Sequence, residues 1–218
     1  MARNSKWHDD YWLLLMQLYL QRPVGMKPVY SRGMVELGLE LHIHPKVLAA
    51  KMSQISALET PRIERIWQNY SNSPKRLSRA VSLLRKMNGF GSAGEFYEGV
   101  ETVETWEKEW QPLAEDASLT TVALILVLDL YFRLTPATMV SDTPEVRELA
   151  SLLRVKADTV VELLDAYQHC DPYLNRRDVL FSPLMIPCQA VWNRYGNGDT
   201  EALAALASEL MEYYRNQR

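Results

Sequence analysis

Residues 36–56 read ELGLELHIHPKVLAAKMSQIS, and residues 148–168, 112 positions later, read ELASLLRVKADTVVELLDAYQ. In both stretches, apolar residues recur three and four apart, then a short break occurs, and the same periodicity resumes. This pattern predicts a short amphipathic helix, a tight turn and a second helix, twice in one chain. Pro45 is well placed as the first residue of the second helix, because its missing N–H has no partner to lose there.

The 112-residue offset extends beyond these two stretches. It also relates Leu18-Tyr19 to Leu130-Tyr131 in the preceding apolar segments. Identical pairs are few, so the shared apolar pattern and the shared turn positions carry the case for an internal duplication.

The two halves of the chain differ in charge. Residues 1–94 contain 14 Lys and Arg against 6 Asp and Glu, a balance of +8, and residues 95–218 contain 10 against 21, a balance of −11. The sum is the net charge of −3. Such a polarised chain indicates an anionic partner for the first half or docking of one half on the other. Two solvated surfaces that merely differ are the alternative.

Helical periodicity dominates the whole chain, and strand signals are few. The sequence therefore predicts an all-α fold of two tandem related helical domains, each containing a helix-turn-helix-like unit. Residues 1–94 form the basic domain, 95–117 an acidic aromatic connector, and 118–218 an acidic degenerate repeat. The aromatic residues of the connector need packing partners, which favours a docked segment over a flexible linker. The amphipathic C-terminal run TEALAALASELMEYYRNQ predicts a closing core helix, with a dimer seam as the alternative.

Several function classes find no support in the sequence. The longest apolar run, residues 122–128, is too short to cross a bilayer, and the N-terminus lacks the pattern of a signal peptide. Cys170 and Cys188 form no CxxC pair, so we expect two buried free thiols in a reducing cytoplasm. No phosphate-binding loop, GxSxG motif or supported carboxylate pair is present. We therefore expect a cytoplasmic protein that is not an enzyme, is not bound to a membrane and uses no metal or cofactor.

The first copy suits a DNA-binding helix-turn-helix, whose second helix enters the major groove. An apolar stripe on that helix leaves an outward face of Lys46, Ala49, Ala50, Ser53 and Gln54, with Lys51 at its margin. Gln can read adenine, and Lys can reach guanine or phosphate. Phosphate contacts would come from the loop, the turn and a later basic helix. The predicted DNA-binding residues are Lys27, Arg32, His44, Lys46, Ala50, Lys51, Ser53, Gln54, Arg76, Arg79, Arg85 and Lys86. An ordinary helical hairpin with a solvated face is the alternative.

Residues 12–55 resemble the N-terminal helical region of bacterial HNH-type restriction endonucleases and their relatives. LLLMQLYLQRPVG and VELGLELHIHPKVLAAKMSQI stand where that family has its helices, and TPRIERIWQNY resembles the segment that follows. The family's Pro, Lys, Leu, Asn and Phe correspond here to Pro45, Lys51, Met52, Gln54 and Ile55. His42-Ile43-His44 stands in place of the family's Gly-Arg-Thr turn, and the nuclease half is absent. The resemblance implies a helix-turn-helix that binds DNA without cleaving it.

The second copy presents Asp158, Glu162 and Asp165 at helical spacing. Carboxylates on an outward face repel DNA phosphates, so this copy should not bind the duplex. We expect it to bind a protein or to mediate self-association. The sequence as a whole predicts a DNA-binding protein of the transcription-regulator type, with double-stranded DNA as the partner of its basic domain. The alternative is a helical protein-interaction scaffold without DNA affinity.

Overall fold

The computed structural model of the protein describes residues 7–90, 105–174, 176 and 181–215. Across these residues the secondary structure consists of eleven α-helices and a short 3-10 helix, with no strand. The predicted all-α fold class is therefore confirmed. The chain divides into two compact units, Met1–Glu104 and Thr105–Arg218. No described helix combines the length and the hydropathy that crossing a bilayer requires.

The first unit contains five described helices, three of which begin with proline. Their bounds are α1 Tyr11–Leu20, α2 Arg32–Leu41, α3 Pro45–Ala57, α4 Pro61–Tyr70 and α5 Pro74–Arg85. Proline is favourable at a first helical position, because its φ is already helical and its missing N–H costs no hydrogen bond. Thr60 caps α4 by accepting a hydrogen bond of 3.3 Å from the N–H of Ile63.

Helix α1 is the centre of the first unit. Its sequence, YWLLLMQLYL, is apolar on nearly every side, and the helix contacts α2, α3, α4 and α5. Leu15 on α1, Met34 on α2, and Leu48 and Met52 on α3 are almost completely buried. Burial of a Leu or Met side chain contributes roughly 1.5–3 kcal/mol, so these contacts, and not surface pairs, hold α3 in place.

The second unit is built around the apolar helix α7. The bounds of its helices are α6 Thr105–Lys108, α7 Thr121–Arg133, α8 Pro144–Leu153, α9 Ala157–Cys170, α10 Met185–Tyr195 and α11 Thr200–Arg215. Helices α8, α9, α10 and α11 all contact α7. Helix α11 buries Leu203, Ala207 and Leu210 and packs on α7 and α8. The prediction of a closing core helix is therefore confirmed.

The turns of the two predicted copies have the same local geometry. Helix α2 and helix α8 are both ten residues long and are offset by 112 positions. Each ends at a residue with left-handed backbone, His42 at φ 55° and Arg154 at φ 61°. The N–H of Ile43 donates to the carbonyl of Gly38 at 2.9 Å, and the N–H of Val155 donates to the carbonyl of Ala150 at 3.0 Å. The two turns thus have the same backbone conformation and the same hydrogen bond.

The two copies also bury the same positions. Side chains at matching positions of the two helix pairs are all at most 7% exposed. The pairs are Met34 and Val146, Leu37 and Leu149, Leu41 and Leu153, Leu48 and Val160, Met52 and Leu164, and Ile55 and Tyr167. Matching burial at a constant offset is what an internal duplication of the helix pair predicts.

Residues 105–117 of the predicted connector lie in the second unit. Trp106 is buried there, and the ring of Trp110 lies 4.7 Å from the ring of Tyr213 on α11. These two indoles therefore have the packing partners that the sequence required. Residues 95–104, with the aromatic side chains Phe96 and Tyr97, lie outside the described residues.

Both cysteines of the second unit are free and buried, as predicted. Burial raises the pKa of the Cys170 thiol to about 11 and that of the Cys188 thiol to about 12. A thiol with such a high pKa holds little thiolate near neutral pH, so neither side chain is a reactive nucleophile.

Candidate nucleic-acid interface

The position of α3 is determined by the short turn before it. His42, Ile43 and His44 connect α2 to α3, and Ile43 is only 4% exposed, so its side chain fills the angle between the two helices. His44 is the N-cap of α3, and its Nδ1 accepts a hydrogen bond of 3.1 Å from the N–H of Lys46. One ring nitrogen of this predicted DNA-binding histidine therefore serves the helix start.

The outward face of α3 is small and polar. Leu48, Met52 and Ile55 are buried on its inner side. Lys46, Ala50 and Ser53 are exposed, and Gln54 is half-buried. The Ser53 hydroxyl donates to the carbonyl of Ala50 at 2.7 Å, so it lies against the helix surface. Four predicted DNA-binding residues thus lie on or next to one accessible face of low relief.

Lys51 has a different environment from the rest of the predicted face. Its Nζ lies 5.4 Å from the ring centroid of Trp7 and 5.4 Å from that of Trp12, and the side chain is half-buried. The two indoles contact each other at 4.8 Å. Cations are attracted to the negative face of an indole ring. The charge that the sequence placed at the margin of the DNA-facing surface is therefore held against aromatic rings.

The two loop-side cations of the prediction have local partners. The Nζ of Lys27 donates to the carbonyl of Gln21 at 2.7 Å and to that of Pro23, which satisfies backbone oxygens after the end of α1. Burial lowers the pKa of Lys27. Arg32, the first residue of α2, donates to Glu36 one turn later at 2.6 Å. These contacts orient both cations within the first unit.

On the predicted basic helix α5, Arg85 and Arg76 contact other side chains of the first unit. Arg85 donates two hydrogen bonds to the Glu40 carboxylate, at 2.6 and 2.8 Å, and the Arg76 guanidinium lies 5.2 Å from the centroid of the Tyr70 ring. Arg79 and Lys86 are exposed.

Lys75, which precedes this pair on α5, is exposed as well. Spacings of four and seven residues place Lys75, Arg79 and Lys86 on one side of a helix. We name these three residues the α5 basic stripe.

The described part of the first unit is basic overall. Residues 7–90 contain 12 Lys and Arg and 6 Asp and Glu, a balance of +6. The carboxylates of Asp9, Glu36 and Glu40 form ion pairs with arginines. Arg65, an exposed residue of α4, adds a cation that the predicted site lacked. The amphipathic spacing of RIERIW would have placed it on the solvent side.

The matching face in the second unit is acidic. On α9, Asp158 and Glu162 are exposed and accept hydrogen bonds from Ser141 and Ser182 at 2.5 and 2.7 Å. Asp165 forms an ion pair of 2.9 Å with Arg176. Carboxylates therefore stand at and around the positions where the first copy has Lys46 and Ala50.

Within the described residues, no group of three or more His, Cys, Asp or Glu side chains is arranged to hold a metal ion. No protein-family model, curated protein or solved structure matches the chain. The resemblance to the N-terminal region of HNH-type endonucleases therefore stays a prediction drawn from the residues themselves.

Proposed function

We propose that the protein is a non-enzymatic DNA-binding protein of the transcription-regulator type, and that its first unit binds duplex DNA. The observation that carries the proposal is the outward face of α3. After a three-residue turn closed by Ile43, this helix presents small and polar side chains in a unit whose described residues, 7–90, carry a net charge of +6. Small side chains let a helix approach the floor of the major groove closely.

The two basic helices would have different tasks. On α3, Gln54 is suited to reading adenine and Lys46 to reaching guanine or phosphate. The α5 basic stripe is suited to neutralising phosphates, which supplies affinity without sequence preference. Lys51 would act indirectly by positioning α3 through Trp7 and Trp12, instead of touching the duplex.

The test is fluorescence anisotropy of a labelled random duplex titrated with the full chain at two salt concentrations. We expect salt-sensitive binding, and we expect Arg79→Glu to weaken it on every sequence and to reduce the salt slope by about one. Lys156→Glu is the matched control, because it makes the same charge change at an exposed position of the second unit. An equal loss in both variants would indicate a nonspecific charge effect.

A protein-interaction scaffold is the second candidate, and one observation favours it. Leu83 and Met87, one turn apart beside the α5 basic stripe, are 67% and 61% exposed. Exposed apolar side chains next to cations suit an acidic amphipathic partner more than a phosphate backbone. If the full chain binds no duplex even at low salt, DNA binding is wrong and the scaffold becomes the better account.

A further inference from the structure

The second unit contains a groove of about 650 Å³ at the junction of α7, α8 and α11. Leu149, Leu152 and Met211 contribute apolar surface to it. Four arginines also line it, although the unit is acidic. They come from three helices and from the turn after α8, and they are Arg133, Arg147, Arg154 and Arg215.

The first helix pair has other residues at the positions of two of these arginines. At the matching positions the first copy has Val35 in place of Arg147 and His42 in place of Arg154. Val35 is completely buried, whereas the Arg147 side chain is 61% exposed. The same helix face is therefore sealed in one copy and open in the other.

Helix α11 supplies the opposite wall of the groove through Met211 and Arg215. Two of the four arginines, Arg147 and Arg154, therefore have no counterpart in the first copy.

Carboxylates from outside the groove hold three of the guanidinium groups in place. Arg133 pairs with Asp129 at 3.0 Å, and two further pairs join Arg147 to Asp142 and Arg215 to Glu212. Each arginine side chain remains more than half exposed. A guanidinium has five N–H donors, so pairing along one edge leaves donors for a ligand.

We propose that this groove binds an organic anion of about nucleotide size that carries phosphate or carboxylate groups on a ring. Its volume is in the range of small-molecule sites. Guanidinium groups bind phosphate and carboxylate through paired hydrogen bonds, and the apolar floor suits a ring. Glu145 and Glu148 also line the groove. Carboxylates are hydrogen-bond acceptors, so these two favour a ligand that also has hydroxyl or amino groups. This inference goes beyond DNA binding and does not depend on it.

The probe is 8-anilinonaphthalene-1-sulfonate, which combines a sulfonate with aromatic rings and fluoresces when an apolar site takes it up. We expect saturable one-site binding to the full chain. Arg147→Gln/Arg215→Gln, which keeps both side chains polar and removes both charges, should weaken it by about tenfold. Lys156→Gln is the control, because that residue is exposed in the same unit but does not line the groove. Circular dichroism checks that both variants remain folded.

Competition then identifies the anion. Displacement of the dye by ADP indicates a phosphate ligand, and displacement by phthalate, an aromatic ring with two carboxylates, indicates a carboxylate. The proposal is overturned if the arginine variant, still folded, binds the dye as the wild type does, or if neither anion displaces the dye at millimolar concentration.

Discussion

Lys51 has contacts in the structure that its sequence pattern does not contain. Its spacing on α3 and its match to the family pattern both predict contact with DNA. Its ammonium lies 5.4 Å from the ring centroid of Trp7 and 5.4 Å from that of Trp12. These contacts could not be predicted from the sequence, because Trp7 lies 44 positions away and helical periodicity describes only neighbours along one helix.

Comparison of Lys51→Met with Lys46→Met separates an effect on protein stability from an effect on DNA binding. Lys51→Met removes two cation–π contacts, so we expect the free energy of unfolding in urea to fall by about 0.5–2 kcal/mol. Lys46→Met changes an exposed side chain and should leave stability within about 0.5 kcal/mol. The order should reverse for duplex binding, where Lys46→Met weakens affinity more. A loss of affinity in Lys51→Met without loss of stability would place Lys51 at the DNA.

The buried thiols should lower the free energy of unfolding at alkaline pH. Because the folded pKa of Cys170 and Cys188 is raised to about 11 and about 12, the folded state retains protons that the unfolded state releases. Their contribution is fully present below the unfolded pKa of about 8.5 and is lost as the pH rises through the folded values. We expect the free energy of unfolding, measured in urea, to fall from about pH 8.5 upward. Cys170→Ala/Cys188→Ala should flatten this slope, and an unchanged slope would contradict the assignment.

The helix bounds around the turn could be predicted from local chemistry. Helix α3 begins at Pro45, as predicted, because proline is favourable at a first helical position, and it ends before a left-handed residue, Leu58. The periodicity of one helix cannot predict side-chain partners on another helix. The Glu40 carboxylate that accepts hydrogen bonds from Arg85 is an example.

Ile43 tests whether the turn holds the two helices together. Ile43→Ala removes a buried side chain between α2 and α3, so we expect a loss of about 2–4 kcal/mol in the free energy of unfolding. Val155→Ala is the matched change in the second copy, where the side chain is only partly buried, and should cost about 1 kcal/mol. Both are measured by urea denaturation. Equal losses would mean that the two turns are packed alike.

For the molecule as a whole, the sequence predicted the all-α fold and two helix pairs with equal turns, since a constant offset and a repeated apolar pattern are visible without coordinates. The groove of the second unit was not predictable in the same way. Aligning the copies shows that Arg147 and Arg154 differ from Val35 and His42, but only the packed position of α11 brings Arg215 opposite them. The net charge of this unit is negative, so charge balance alone does not reveal the four arginines of the groove.

The turns at His42 and Arg154 are closed by main-chain hydrogen bonds to Gly38 and Ala150, so neither side chain is needed to close them. In a helix pair closed in this way, the outward side chains can change while the backbone of the turn stays the same. The outward side chains of one copy could therefore be transferred to the other without removing the backbone hydrogen bond that closes its turn.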